Sequence, residues 1–123
     1  MVRVLVVDDH PAFREALRSA LELVDEIEVA GEAGGGLDAC REAADRAPDV
    51  VLMDLAMPDL SGLDAMQVIH ARDPDLPVVI LTANADPGVE AEARRAGASG
   101  FIAKGTTLDD IVIVLHEAAE QPA

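Results

Sequence analysis

The sequence contains very few aromatic residues and a single cysteine. Of its 123 residues two are Phe and none is Trp or Tyr, although half of the chain is hydrophobic. A core must therefore be built mainly from the aliphatic side chains of Val, Leu, Ile and Ala. Because Cys40 has no second cysteine to pair with, an intrachain disulfide and a cysteine-based zinc site are both excluded.

Positive charge is scarce as well. Nine Lys and Arg residues are outnumbered by 24 Asp and Glu residues, which gives a formal net charge of -15. Proteins bind nucleic acids largely through Lys and Arg side chains that displace counterions, so we do not expect this chain to bind nucleic acid directly. No apolar run approaches the ~20 residues that span a bilayer, and the first residues do not resemble a secretory signal. We therefore expect a cytoplasmic chain that does not enter a membrane.

Hydrophobic periodicity alternates between that of strands and that of helices. Short apolar runs predict five strands, at residues 2–7, 27–33, 49–54, 77–82 and 100–104, and a helix after each. This alternation is typical of an α/β fold in which helices cover both faces of a parallel sheet. At this size we expect the flavodoxin-like strand order 2-1-3-4-5. Residues 1–120 should form one domain, and residues 121–123 the start of a linker or the end of the chain.

Capping residues mark two of the predicted helices. Asp86 opens the fourth helix and Gly97 closes it, since these are common residue types at helix starts and ends. Thr107 and Asp110 resemble a capping box at the start of the last helix, with Asp in place of the usual Glu.

Polar side chains follow the carboxyl ends of four predicted strands. Asp8 and Asp9 follow the first strand, and Asp54, Thr82 and Lys104 end the third, fourth and fifth. In a parallel sheet these ends share one edge, and strands 1 and 3 flank the switch point where ligands bind in such folds. Taken alone, each of these residues is more often a helix cap, a strand residue or a solvated side chain than part of a functional site. Their joint position at one edge favours a functional site.

The residue types at this edge suit phosphoryl chemistry. Three crowded carboxylates repel one another unless a cation relieves them, and Mg²⁺ prefers oxygen ligands of this kind. Such a metal could neutralise phosphoryl oxygens while Asp54 attacks phosphorus in line. Lys104 would supply a second positive contact, and Thr82 a hydroxyl donor. The three histidines fall on different predicted elements, so we do not expect them to form a metal cluster.

Four motifs together resemble the receiver domain of two-component response regulators, over essentially the whole chain. They are Val-Asp-Asp-His at 7–10, Met-Asp-Leu-Ala-Met-Pro at 53–58 with Gly62, Leu-Thr-Ala at 81–83, and Gly-Phe-Ile-Ala-Lys at 100–104. The Asp-Asp-His-Pro and Lys-Gly-Thr-Thr strings are similar to the NarL/FixJ branch. Members of that branch are usually transcription factors with a C-terminal helix-turn-helix domain, which this chain does not contain.

The resemblance implies a role for each candidate residue at the acidic edge. Asp54 would be the phosphoacceptor and also a ligand of the metal, with Lys104 beside it. Asp9 would bind Mg²⁺ directly and Asp8 chiefly through water, and the backbone carbonyl of Ala56 would complete the protein ligands.

A switch mechanism and a set of partners are implied in the same way. Thr82 would move towards the phosphoryl group and Phe101 would turn inward, which couples the site to the face formed by helix 4, strand 5 and helix 5. The phosphodonor would be a sensor histidine kinase docked on the first helix, and phosphorylation could promote a homodimer. The chain would act on no substrate besides its own phosphoryl group. Many family members have Pro after the lysine, whereas Gly105 follows Lys104, so we do not expect a cis bond there.

Two other functions fit part of the pattern. A phosphorylation-independent pseudo-receiver would act purely as a binding scaffold, although the complete acidic set argues against this function. A phosphohydrolase that resembles haloacid dehalogenases would need a second Asp two residues after the first, where this chain has Ala56.

Overall fold

Five parallel strands and five helices alternate in the computed structural model, which describes residues 1–120. The strands lie in the order β2-β1-β3-β4-β5, which confirms the predicted topology. Residues 121–123, predicted as a linker or chain end, lie outside the described residues. The elements are β1 Val2–Val7, α1 Pro11–Glu22, β2 Ile27–Ala33, α2 Gly36–Arg46, β3 Val50–Asp54, α3 Gly62–Arg72, β4 Val78–Thr82, α4 Pro87–Ala96, β5 Gly100–Ala103 and α5 Leu108–Glu120.

Three strand ends differ from the prediction by one residue. β3 and β4 begin one residue later than expected, and β5 ends at Ala103. Pro77 has no N–H to donate to a ladder, so it lies just before β4, with its carbonyl accepting from the Val51 N–H at 3.0 Å. The Lys104 N–H still donates to the Thr82 carbonyl at 2.9 Å before the chain turns towards α5. All peptide bonds of residues 1–120 are trans, including the one before Gly105.

The sheet separates two aliphatic layers, because successive strand residues face opposite sides. On one side Leu5, Val51 and Ile80 pack with buried residues of α2, α3 and α4. On the other side Val6 and Leu52 pack with buried residues of α1 and α5. The central strands β3 and β4 are buried along their whole length, which explains their continuous apolar sequence. None of the helices in residues 1–120 combines the length and apolar character needed to cross a bilayer.

The helix ends follow the predicted capping chemistry, with one exception. The Asp86 carboxylate accepts from the Gly88 N–H at 2.8 Å, and Gly97 ends α4 with a left-handed φ of 117°. At the start of α5 the Thr107 hydroxyl accepts from the Asp110 N–H at 3.3 Å. The reciprocal bond from the Asp110 side chain is absent among the described residues, so only half of the predicted capping box forms. The shorter Asp side chain reaches back less far than Glu does.

A distant carboxylate caps the start of α2. Asp59, in the loop between β3 and α3, accepts from the backbone N–H groups of Gly36 at 3.0 Å and Leu37 at 3.1 Å. These hydrogen bonds hold the pKa of the Asp59 carboxyl below its usual range. The loop that follows β3 is thereby tied to a helix more than twenty residues away in sequence.

We expect Asp59→Ala to lower the urea midpoint of unfolding at neutral pH, since two helix N–H groups lose their acceptor. Because the folded-state pKa is depressed, this stabilisation exists above the unfolded value, about 3.9, and is lost as the pH falls through the folded value. The gap between wild type and variant should therefore close in acid. The exposed residue Asp75, which has no hydrogen bond or ion pair within residues 1–120, gives the control variant Asp75→Ala. Equal midpoint losses in both variants would contradict the capping role.

Candidate active site

The carboxyl ends of β1, β3 and β4 hold the three buried polar side chains of the described residues. Asp8 follows β1, Asp54 ends β3 and Thr82 ends β4, with exposed fractions of 1%, 3% and 3%. β3 pairs with both β1 and β4 in parallel register, so these three ends meet at one edge of the sheet. Burial of polar groups is costly unless they have partners, which makes their surroundings informative.

Lys104 is the only lysine of the chain, and its ammonium group lies between the two buried carboxylates. Its Nζ atom is 2.9 Å from Asp8 Oδ2 and 3.2 Å from Asp54 Oδ2. The contact with Asp54 is a hydrogen bond, whereas the contact with Asp8 is an ion pair at an angle outside hydrogen-bond geometry. The same Nζ atom lies 4.7 Å from the centre of the Phe13 ring, which favours a cation.

Burial and close contact shift the ionisation of the charged groups at this edge. Burial raises the pKa of the Asp54 carboxyl, and the nearby Asp8 carboxylate adds to this effect, while Lys104 opposes it. Burial disfavours the charged form of Lys104, but the two neighbouring carboxylates outweigh that effect and raise its pKa above the usual value. One ammonium group therefore does not fully compensate the carboxylates, and an additional cation would be stabilised here.

Because the carboxylates are not fully compensated, we expect the stability of the protein to depend on pH when no metal is bound. The folded-state pKa of Asp54 is raised, so the folded form holds its proton more strongly, and stability falls as the pH rises from the unfolded value through the folded one. We expect Asp54→Asn to remove that decline and to have a higher free energy of unfolding than the wild type at pH 7. Urea unfolding of both proteins in EDTA between pH 4 and pH 8 would measure it. Parallel pH profiles would contradict the prediction.

Four side chains at this edge could hold a metal ion. Ligand atoms of Asp8, Asp9, His10 and Asp54 all lie within 4.8 Å of one another. The carboxylate oxygens are hard donors, which suits Mg²⁺, and the Oδ1 atom of Asp9 is buried without a hydrogen-bond partner. The donor set therefore fits a divalent cation.

Sequence reasoning missed two residues that contact this cluster. His10 was not expected at a metal site, yet its Nδ1 atom lies 3.2 Å from carboxylate oxygens of both Asp8 and Asp9. Arg14, on α1, donates from Nη1 to the Asp8 carbonyl at 2.8 Å and pairs with Glu32. The adjacency of His10 to the acidic pair was a usable signal, whereas the Arg14 contact depends on how α1 packs.

The remaining predicted residues lie at the end of β4, on β5 and in the loop that follows β3. The Thr82 hydroxyl accepts from the Asn84 N–H at 3.1 Å, and Phe101 on β5 is half-buried against the α2–α3–α4 layer. Ala56 is exposed, and its N–H points at Asp54 Oδ1 with a distance of 3.4 Å. All the predicted site residues thus lie on β1, β3, β4, β5 or the loops that follow them.

Comparison with known proteins identifies the family. The family model described as the response regulator receiver domain matches residues 4–116. The chain is a member of the receiver domain family. Response regulator UvrY of Escherichia coli (strain K12) is 38% identical to this receiver domain over 116 residues, which are 94% of this chain and 53% of UvrY. The transcriptional regulatory protein YdfI of Bacillus subtilis (strain 168) is 39% identical over 118 residues, 96% of this chain and 55% of YdfI.

A solved structure supports the same family and fold. The signal receiver domain of the response regulator NarL from Mycobacterium tuberculosis superposes with a TM-score of 0.91 at 34% identity, and the match covers 97% of this chain and 96% of that chain. The predicted flavodoxin-like fold and the resemblance to the NarL/FixJ branch are thereby confirmed. The receiver domain spans about half the length of the curated relatives it matches.

Proposed function

We propose that this receiver domain is a phosphorylation-controlled switch in which Asp54 accepts the phosphoryl group. The main support for this function is the position of Asp54 in the structure. Its carboxylate is buried at the switch point of the sheet, is hydrogen-bonded to Lys104 at 3.2 Å, and lies within 4.8 Å of the ligand atoms of the other acidic side chains. Such a carboxylate is an oriented nucleophile with the Lys104 ammonium group on one side.

In the proposed reaction the phosphoryl group passes from the donor to one carboxylate oxygen of Asp54. That oxygen forms a bond to phosphorus while the bond between phosphorus and the donor imidazole nitrogen breaks, and the released imidazole takes up a proton from solvent. Lys104 lies where it can pair with the phosphoryl oxygens as their charge moves towards Asp54. Mg²⁺ would neutralise phosphoryl charge when it is bound. Among the protein ligands we assign Asp9 to direct contact, Asp8 to contact chiefly through water, and Asp54 and the Ala56 carbonyl to the remaining positions.

The switch would pass from Thr82 to the α4–β5–α5 face. In the described state the Thr82 hydroxyl oxygen accepts from the Asn84 N–H, which leaves its O–H hydrogen to donate to a phosphoryl oxygen when the residue moves. α4 follows directly and has a single buried residue, Ala93, so little apolar burial resists its displacement. Phe101, half-buried on the neighbouring β5, would turn inward as Thr82 moves. A phosphoryl group at Asp54 can therefore change a surface that a partner reads.

The partners follow from the family. A receiver domain is a regulatory module rather than a classical enzyme, and we propose that its catalysis is limited to its own phosphorylation and dephosphorylation. The phosphodonor would be a sensor histidine kinase in the cytoplasm, docked on α1. The name of the relative YdfI indicates transcriptional regulation. We accordingly propose that residues 1–120 form the domain unit, which would control a C-terminal DNA-binding domain and could dimerise when phosphorylated.

A chemical mapping experiment tests the proposal. The protein is incubated with acetyl phosphate and Mg²⁺, the product is reduced with borohydride, and the peptides are identified by mass spectrometry. An acyl phosphate on Asp54 should give homoserine at position 54, and EDTA should prevent it. Homoserine at another aspartate, or none at all, would refute the assignment. A scaffold function would instead predict partner binding that is unchanged by acetyl phosphate.

A further inference from the structure

His10 has an unusual position for a side chain that is two-thirds exposed. It precedes α1 as the N-cap residue, yet its side chain makes no capping hydrogen bond. Instead the imidazole turns towards the acidic cluster, where its Nδ1 atom lies 3.2 Å from Asp8 Oδ1 and 3.2 Å from Asp9 Oδ1. The backbone N–H of His10 also donates to Asp8 Oδ1 at 2.8 Å, which fixes the residue next to the cluster.

A single hydrogen bond accounts for only one of these two contacts, since Nδ1 pairs with Asp8 Oδ1 in hydrogen-bond geometry whereas its contact with Asp9 Oδ1 is not a hydrogen bond. One ring nitrogen carries at most one proton, so it can donate to one of the two carboxylates but not well to both. Charge-assisted bonds of this kind are usually about 2.7–2.9 Å long, and both contacts are longer. Asp8 Oδ1 is shared by the backbone N–H and the ring nitrogen of His10, whereas Asp9 Oδ1 remains buried without a hydrogen-bond partner.

The spacing fits a set of ligands that share one metal ion. Two donors that are each about 2.1 Å from a metal are roughly 3.0 Å apart in octahedral and roughly 3.4 Å apart in tetrahedral geometry. The 3.2 Å separation between His10 Nδ1 and Oδ1 of Asp9, the carboxylate assigned to direct contact, falls within this interval. The imidazole of His10 and the carboxylates of Asp9 and Asp54 therefore form a mixed nitrogen and oxygen donor set.

We infer that His10 is a metal ligand that lets this site take transition ions of the Zn²⁺ and Co²⁺ class in addition to Mg²⁺. The inference rests on the metal site of the proposed function and names a further ligand for it. Imidazole nitrogen binds such ions strongly and binds Mg²⁺ poorly, so a site with His10 discriminates in favour of Zn²⁺ and Co²⁺. The ion bound at Asp54 would then depend on which divalent ions are available to the protein.

Metal titrations of the whole chain test this inference. Zn²⁺, Co²⁺ and Mg²⁺ affinities are measured by calorimetry for the wild type, His10→Asn and the control His116→Asn. His116 lies on α5 against Glu26, which precedes β2 and so belongs to the opposite edge of the sheet. We expect His10→Asn to lower the ratio of Zn²⁺ to Mg²⁺ affinity at least tenfold and His116→Asn to leave it near the wild-type value.

A spectroscopic readout locates the ligand independently of affinity. In ¹⁵N NMR, Zn²⁺ should shift the Nδ1 resonance of His10 and leave the rings of His70 and His116 unaffected. An unchanged affinity ratio in His10→Asn, or an unshifted Nδ1 resonance, would overturn the inference while Mg²⁺ binding persists. If the wild type binds no divalent ion at the acidic cluster, the proposed metal site is overturned as well.

Discussion

Asp54→Asn should abolish phosphorylation by acetyl phosphate and the response to beryllofluoride. The neutral amide oxygen is a poor nucleophile, and the neighbouring Asp8 carboxylate already accepts from the His10 N–H and contacts Lys104, so no second acceptor is available in the same position. We expect the rate of acyl phosphate formation to fall at least a hundredfold, equivalent to about 2.7 kcal/mol of barrier. Intact-mass spectrometry after incubation with the phosphodonor and Mg²⁺ provides the measurement.

Two comparisons make the Asp54→Asn result specific. Asp75→Asn changes an exposed aspartate outside the cluster and should leave the yield at the wild-type level. The urea midpoint of Asp54→Asn in EDTA should equal or exceed that of the wild type, which excludes unfolding as the cause of the loss. If the Asp54→Asn variant still gains a phosphoryl group, the acceptor is elsewhere.

Gly62→Ala should give the largest loss of stability among simple substitutions near the site. A Cβ atom at Gly62 would lie 2.4 Å from the Asp54 carbonyl oxygen and 3.0 Å from Leu55 Cα. Both are backbone atoms, so neither can rotate away as the end of a side chain can. The Gly62 N–H also donates to the Leu55 carbonyl at 2.7 Å, which holds α3 close to the end of β3. We expect overpacking to lower the free energy of unfolding by about 2–3 kcal/mol.

The functional effect of Gly62→Ala follows from the same contact. The added methyl group would push on the backbone of the proposed acceptor residue, so phosphorylation should slow even in the fraction that remains folded. Gly105→Ala is the matched control, because a Cβ atom there meets nothing within 4 Å. Its free energy of unfolding should remain unchanged or rise slightly. Chemical denaturation of both variants would decide the matter, and similar stabilities would contradict the steric argument.

The sheet was predictable because its sequence signal is strong and local. β3 and β4 are buried along their whole length, so their apolar runs stand out, and parallel topology then places the polar residues that follow them at one edge. Strand ends were predicted only to within one residue. They depend on single backbone bonds, such as the one that Lys104 donates to Thr82.

Contacts between elements could not be predicted from spacing. Asp59 caps α2 across a distance in sequence that no local motif records, and Arg14 reaches the Asp8 carbonyl only because α1 packs beside β2. The contact of Phe13 could not be predicted either. Its spacing indicates a core residue of α1, yet its ring also contacts the Lys104 ammonium group. The residue types in the sequence indicated the chemistry of the site, whereas the contacts that support it could be identified only from the packed structure.

The uniqueness of Lys104 has a practical consequence for work with this domain. Besides the terminal amine, amine-directed reagents can modify only this residue, so a dye, a crosslinker or a biotin group attached through lysine would sit inside the acidic cleft. Acylation would also erase the positive charge that the two buried carboxylates share. Capture of the domain on an amine-coupled sensor surface would therefore inactivate every molecule held through its lysine.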